Sequence, residues 1–247
     1  MKKGNKKLNC VLLHGWGVSN NVWKSFVLKL NDFENIYTPC LYGIYGHSND
    51  RGFEAAAKAL SKKIKKNSIV IAWSIGGLIA LRLMALTTKI RAIIFIASSP
   101  CFINKEGWPN VINKNSLTEL KKRFSSDAAE GLKHFAGLVA YGDMSSSVTN
   151  KTIRQYLATE KQSQILSSWL SELEKIDQRD QFAALEIPAQ FILGQNDILV
   201  KSNIQNQIRQ LNPYAHSSII KDCGHAPFIS RPDETYKVIN KFLNERI

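Results

Sequence analysis

The 247-residue chain has no apolar run approaching the roughly 18 to 20 residues that a membrane-spanning helix needs, which excludes an integral helical membrane protein. Its start, Met1 to Lys7, mimics the basic end of a signal peptide. The apolar stretch behind it, Cys10–Leu13, is shorter than the ~7–15 residues of a signal core and lacks a small-residue cleavage site, so no leader is expected. Cysteine is sparse. Cys10, Cys40, Cys101 and Cys223 lie far apart with no CxxC pair, which removes a zinc ribbon, a redox pair and a disulfide scaffold. They read as reduced thiols in a cytoplasmic protein. No HExxH or two-His-one-carboxylate spacing is present, and no GxGxxG or Walker loop, so neither a metal nor any cofactor is implied. Acidic residues are also short: 20 Asp+Glu stand against 33 Lys+Arg, a formal charge of +13. Such a balance invites a nucleic-acid reading. The densest cluster, Lys58, Lys62, Lys63, Lys65 and Lys66, however, sits on a predicted helix without the stacking aromatics that single strands need. It reads as a solvated face, with attraction to an acidic protein partner as the alternative; neither nucleic acid nor membrane is expected as a partner.

What is present is ordinary globular material: 44% hydrophobic and 21% charged residues, enough length for a sizeable core without staples. Short, nearly continuous apolar runs occur at Asn9–Leu13, Ser68–Trp73, Ala92–Ala97 and Ala189–Leu193, with a weaker one at Ser218–Ile220. Continuous rather than alternating runs mark parallel strands covered on both faces. Helical patterns lie between them, at Val22–Leu30, Gly52–Lys65, Ile75–Leu86, Ser202–Gln210 and Asp233–Asn244. The alternation predicts an α/β fold with a doubly wound, mostly parallel sheet. Residues 105–184 break the rhythm, with helical spacing at Leu117–Phe124, Ala128–Ala140, Thr152–Glu160 and Ile165–Leu173 and no strand candidate. The expectation is a core formed by 1–104 and 185–247, carrying an all-helical lid at 105–184, in a monomer.

Four segments carry chemistry. Ile71-Ala-Trp-Ser74-Ile-Gly-Gly77 places a serine between a strand and a helix, where a tight turn lifts the hydroxyl beside a helix N-terminus. Residues two before and two after such a serine must be small; Gly76 meets this, and Ala72 stands where glycine is usual. Taken alone, the serine reads equally well as a helix cap. Leu13-His-Gly-Trp16-Gly17 follows the first strand, and the backbone N–H groups of Trp16 and Ile75 make a candidate oxyanion pair. Gly194-Gln-Asn-Asp197 and Gly224-His225-Ala-Pro-Phe228 each follow a strand, where open α/β sheets collect their sites. The order Ser…Asp…His is that of a hydrolase triad: Ser74 as nucleophile, His225 as general base and acid, Asp197 orienting the imidazole. Asp222 is a rival acid of lower rank. His14 reads as support for the oxyanion loop, and His47, His134 and His216 as surface or lid residues.

With these motifs the chain resembles the α/β-hydrolase superfamily over essentially its whole length. Within it, the chain is similar to the pimeloyl-[acyl-carrier-protein] methyl ester esterase family of biotin synthesis. The narrower resemblance is carried by Val11–Gly17, Trp73–Gly77, Ala97-Ser-Ser-Pro-Cys-Phe102, Glu106-Gly-Trp-Pro109 and His225–Ser230. It implies a serine carboxylesterase that releases methanol and leaves the pimeloyl chain on an acyl-carrier protein, its partner. It also implies that Phe135, Ala136, Gly137, Leu138 and Val139 contact the acyl chain, with Trp16, Ile75 and His225 at the ester. Three departures stand out. Leu41-Tyr-Gly-Ile-Tyr-Gly-His-Ser48 replaces the usual Asp-x-Pro-Gly-x-Gly-x-Ser loop. The usual leading hairpin is missing or minimal. The lid arginines that grip the carrier are replaced at the clearest position by His134, with Lys133, Lys121, Lys122, Arg123, Lys151 and Arg154 nearby. A general short-chain carboxylesterase or thioesterase with the same triad is the alternative, and a non-catalytic binder on the same fold is a third class.

Overall fold

The computed structural model describes residues 8–45 and 50–247; Met1 to Lys7, and the part of the divergent loop that contains His47, lie outside them. Six strands form one parallel sheet: β1 (Asn9–Leu13), β2 (Asn35–Tyr37), β3 (Ser68–Trp73), β4 (Ile90–Ile96), β5 (Ala189–Gly194) and β6 (His216–Ile220), in the order β2-β1-β3-β4-β5-β6. All six residues of β3 and of β5 are buried, as continuous apolar runs in the middle of a covered sheet demand. Strand β2 escapes the sequence pattern because it is a three-residue edge, Asn-Ile-Tyr, that is never fully buried.

Helices α1 (Lys24–Val27), α2 (Phe53–Ser61) and α3 (Gly76–Met84) alternate with the first four strands. The helix expected over Val22–Leu30 shrinks to a 3₁₀ turn plus α1: Val22, Phe26 and Leu30 are buried at helical spacing, but the Lys29 and Leu30 N–H groups close tight i−3 bonds on Phe26 O and Val27 O and end the helix. Between β4 and β5 come α4 (Lys114–Ser126), α5 (Ala128–Ala140), α6 (Ser146–Gln155), α7 (Ser163–Leu173) and α8 (Arg179–Ala183), with no named strand. Helix α9 (Gln205–Leu211) precedes β6; α10 (Pro227–Ser230) and α11 (Pro232–Arg246) follow it. Among the described residues no helix is long and apolar enough to cross a membrane.

Side-chain caps set the starts of α4 and α5. Asn113 Oδ1 accepts the Ser116 N–H at 2.8 Å to start α4, and Asp127 Oδ1 accepts the Ala129 and Glu130 N–H groups to start α5. Helix α6 starts six residues before the expected Thr152 and stops at Gln155. Residues 156–158 are drawn out against the loop after β1: Leu157 bridges Val18, Ser19 donates to Tyr156 O at 2.8 Å, and Ala158 donates to Gly17 O at 2.8 Å. Those tertiary bonds outweigh the helical spacing of the sequence. Helix α7 is tied to the core through Trp169 Nε1 on Arg51 O (2.8 Å) and through the Glu172 carboxylate on the Phe53 N–H.

The sheet order fixes where a site can form. From β1 the chain goes to β2 on one side, then crosses to β3 on the other. At such a switch point the loops beyond the strand ends diverge and leave a crevice. Residues 14–17 after β1 and Ser74 after β3 lie on its two banks.

Candidate active site

Ser74 directly follows β3 with φ +54°, a left-handed conformation that costs a non-glycine residue about 1–2 kcal/mol. The surroundings hold it there: its N–H donates to Ile96 O at 2.9 Å, and its carbonyl accepts the Gly77 N–H at 3.0 Å and the Ser98 hydroxyl at 2.7 Å. Strain of this kind is kept where it aims a side chain. The turn also presses helix α3 against β1. A Cβ on Gly76 would stand 2.7 Å from Leu13 O, and one on Gly77 would overlap Ser98 Oγ. Ala72, on the other side of the elbow, is fully buried in β3 without disturbing its pairing with Leu13 and Phe95.

The three triad candidates converge. His225 Nε2 lies 3.0 Å from Ser74 Oγ, and Nδ1 lies 2.7 Å from Asp197 Oδ2. Asp197 Oδ1 accepts the N–H groups of Leu199 (2.8 Å) and Val200 (3.1 Å), so the carboxylate is held at both oxygens. Facing Asp197, Nδ1 carries the proton, which leaves the Nε2 lone pair to accept from the serine hydroxyl. The base is anchored through its backbone as well: its N–H donates to Val139 O at 3.1 Å and its carbonyl accepts Trp73 Nε1 at 2.8 Å. All three residues are at most 5% exposed. Asp222, by contrast, is exposed and meets neither ring nitrogen of His225.

The loop after β1 faces this group. Among the described residues, neither the Trp16 nor the Ile75 backbone N–H donates to a protein acceptor, as an oxyanion pair requires. The loop itself is well braced. Trp16 Nε1 donates to Leu166 O in α7 at 2.9 Å, and its indole meets the rings of Phe135 and Phe124 edge-on at 5.0 and 5.3 Å. Tyr42 Oη accepts the Gly17 N–H at 2.8 Å and donates to Gly15 O. The Tyr42 phenol thus braces the loop that carries the Trp16 N–H; nothing in the sequence pattern pointed to Tyr42. His14 is fully buried, with Nδ1 donating to Gly15 O and Nε2 accepting the Leu41 N–H at 2.9 Å. Burial lowers its pKa to about 4, so it is neutral at pH 7.

Ser74, Ile75, Trp16 and His225 open onto a cavity walled by Phe102, Ile112, Leu120, Phe135, Leu170 and Leu199. Its volume is about 30 Å³, room for one or two waters. Of the five lid residues expected at the acyl chain, Phe135 lines this cavity. Ala136 is buried, Leu138 is half-buried, and Val139 meets the site through its carbonyl. Gly137 faces the other side of α5, on a groove shared with Asn150, Lys151 and Arg154. The apolar walls from α4 and α7 were not singled out from sequence, since a leucine facing a cavity reads like any core leucine.

The geometry is that of a nucleophile, base and orienting acid beside a pair of free amides, which suits acyl transfer through a tetrahedral intermediate. Comparison with known proteins agrees. The chain is 31% identical to the pimeloyl-[acyl-carrier protein] methyl ester esterase of Aliivibrio fischeri (strain MJ11), over 95% of this chain and 93% of that one. It is 29% identical to the enzyme of the same name from Wigglesworthia glossinidia brevipalpis, over 98% and 96%. In structure it is similar to a hydrolase from Oleispira antarctica, with TM-score 0.83 at 19% identity over 98% of this chain and 93% of that one, a likeness of fold. The alpha/beta hydrolase family profile matches residues 10–238, and the chain belongs to the alpha/beta hydrolase family.

Proposed function

We propose that this protein is a cytoplasmic serine esterase that hydrolyses the methyl ester of a pimeloyl group carried on an acyl-carrier protein. The reading rests on the hydrogen-bonded series Ser74–His225–Asp197 at an apolar cavity, in a chain that matches the named esterases nearly end to end. Ser74 Oγ attacks the ester carbonyl while His225 Nε2 takes its proton. The oxyanion of the tetrahedral intermediate sits on the Trp16 and Ile75 N–H groups. Collapse breaks the bond to the methoxy oxygen, which leaves as methanol with the proton from His225. Water then attacks the acyl-Ser74 ester with the same base, and the free carboxylate departs. Asp197 holds the Nδ1–H tautomer and stabilises the imidazolium at each step.

An apolar wall suits a methylene chain, with polar groups only at the ester. The 30 Å³ cavity is too small for a seven-carbon acyl group, so the walls contributed by α4, α5 and α7 must part on binding. For the acidic carrier, the groove between α5 and α6 offers Lys151 and Arg154, which form no ion pair among the described residues; Lys121, Arg123 and Lys133 are engaged with Glu174, Glu119 and Glu130. The test is turnover of carrier-bound pimeloyl methyl ester against its free counterpart, with restoration of biotin-free growth to a strain lacking the esterase. Failure of both refutes the substrate assignment. The small cavity favours one second reading, a carboxylesterase for short acyl groups. It predicts higher kcat/KM on p-nitrophenyl acetate than on the carrier-bound ester.

A further inference from the structure

The turn that ends α5 is bonded to both loops that carry the acid and the base. Asn196, the residue before Asp197, donates from Nδ2 to Gly142 O at 2.8 Å. Met144 donates its N–H to Asp222 O at 3.2 Å, and Asp143 Oδ1 accepts the N–H of Gly224, the residue before His225, at 2.9 Å. The next N–H, that of His225, satisfies Val139 O, one of the last-turn carbonyls of α5 that no helical amide reaches. The packing leaves no slack: a Cβ on Gly224 would stand 2.5 Å from Tyr141 O, and one on Gly142, whose φ is +80°, 2.6 Å from Asn196 O.

Asp143 is 7% exposed, and its second oxygen is buried without a hydrogen-bond partner. A carboxyl so placed is held by a backbone amide, with only a weak thiol donor beside it, and forfeits most of its hydration, so stability alone does not account for it. It also lies against the base loop electrostatically: burial first, then the charges of Asp143 and Asp197 and the approach of the Asp143 carboxylate to the thiol, push Cys223 up to about 12, against the lowering hydrogen bond from Ser230.

We propose that Asp143 is a positioning residue for the base: through the Gly224 N–H it fixes the peptide leading into His225 and keeps Nε2 aimed at Ser74 Oγ. The proposal rests on the triad reading above. It makes α5 part of the catalytic frame rather than a detachable cover. The same helix carries Phe135 against Trp16 and Val139 O against the His225 N–H, so it touches the oxyanion loop at one point and the base at another.

The test compares wild type with Asp143→Ala and Asp143→Asn, reading the rate of inactivation by a fluorophosphonate, kcat and KM for p-nitrophenyl acetate, and melting temperature. An imidazole displaced by a fraction of an ångström slows proton transfer without weakening a small substrate's binding. Asp143→Ala is therefore expected to lower both the inactivation rate and kcat by about 10- to 100-fold, with KM within about twofold. Asp143→Asn keeps an oxygen that can accept the same N–H and is expected to recover to within about threefold. Asn196→Ala, which loosens the turn through Gly142, serves if Asp143→Ala does not fold, and is expected to slow inactivation by about threefold or more. Wild-type rates in Asp143→Ala, or in Asn196→Ala where Asp143→Ala is unfolded, overturn the proposal. So does equal slowing by Ala and Asn at position 143. Wild-type protein that resists the fluorophosphonate overturns the triad reading itself, a result distinct from either of these.

Discussion

Replacing Gly76 by alanine tests whether the elbow and the oxyanion loop form one rigid unit. The added Cβ would stand 2.7 Å from Leu13 O and 3.0 Å from His14 O, where ordinary contact begins at 3.4 Å. Both obstacles are backbone, so the start of α3 and the end of β1 must separate by about 0.7 Å, the difference of 3.4 and 2.7. The Ile75 N–H rides on the first of these segments and the Trp16 N–H follows the second, so the gap between the two donors widens with them. A misplacement near 1 Å costs on the order of 100-fold in rate, and loss of one oxyanion donor about 10²–10³. The expected result is a fall in kcat of about 30- to 100-fold on a small p-nitrophenyl ester. Overpacking of about 1–3 kcal/mol accompanies it, read as a few degrees in Tm. Gly137→Ala is the control: its Cβ meets one atom, Asn150 Nδ2 at 3.9 Å, and a helical alanine there should stabilise by about 0.5–1 kcal/mol with unchanged kcat. A Gly76→Ala enzyme that folds and retains kcat within threefold of wild type would refute the argument that this contact sets the donor spacing.

Asp197→Asn keeps the shape of the acid but favours the wrong imidazole tautomer; kcat should fall by about 10⁴ while the protein stays folded, measured by ester turnover and circular dichroism. Phe135→Ala removes a cavity wall and the ring edge on Trp16. It should cost about 3–5 kcal/mol in urea unfolding and raise the kcat/KM of longer acyl esters relative to acetate; an unaltered chain-length profile would dissociate Phe135 from the acyl channel. His14 is depressed to about 4 by burial, whereas an unfolded histidine titrates near 6.5. Its contribution is therefore complete above pH 6.5 and lost as pH falls from 6.5 toward 4, about 3 kcal/mol in all. Urea unfolding at pH 7, 5.5 and 4.5 should show this slope in wild type and a shallower one in His14→Gln, and parallel slopes would contradict the assignment.

Much of this molecule is written locally. The strands at Asn9–Leu13 and Ser68–Trp73 begin and end where their apolar runs do, because a strand covered on both faces has no polar face to blur its limits. The order of Ser74, Asp197 and His225 was legible because each stands within five residues of the carboxyl end of a strand, where open α/β sheets collect their sites. Other features were settled by partners far away in sequence. The polar edge strand β2 exists only because β1 offers it a ladder, and α6 ends where residues 156–158 pair with Val18. Tyr42 under the oxyanion loop, and Asp143 behind His225, stand 25 and 81 residues from the amides they hold. No periodicity records such a pairing, since each is one side chain reaching the backbone of a distant loop. The sequence by itself determined the five inner and late strands, the elbow and the candidate reacting groups, which depend on residue type and nearest neighbours. Only the tertiary structure decided how the inserted helices pack beside Ser74 and bond to the loop that carries His225, because packing between distant segments leaves no local trace.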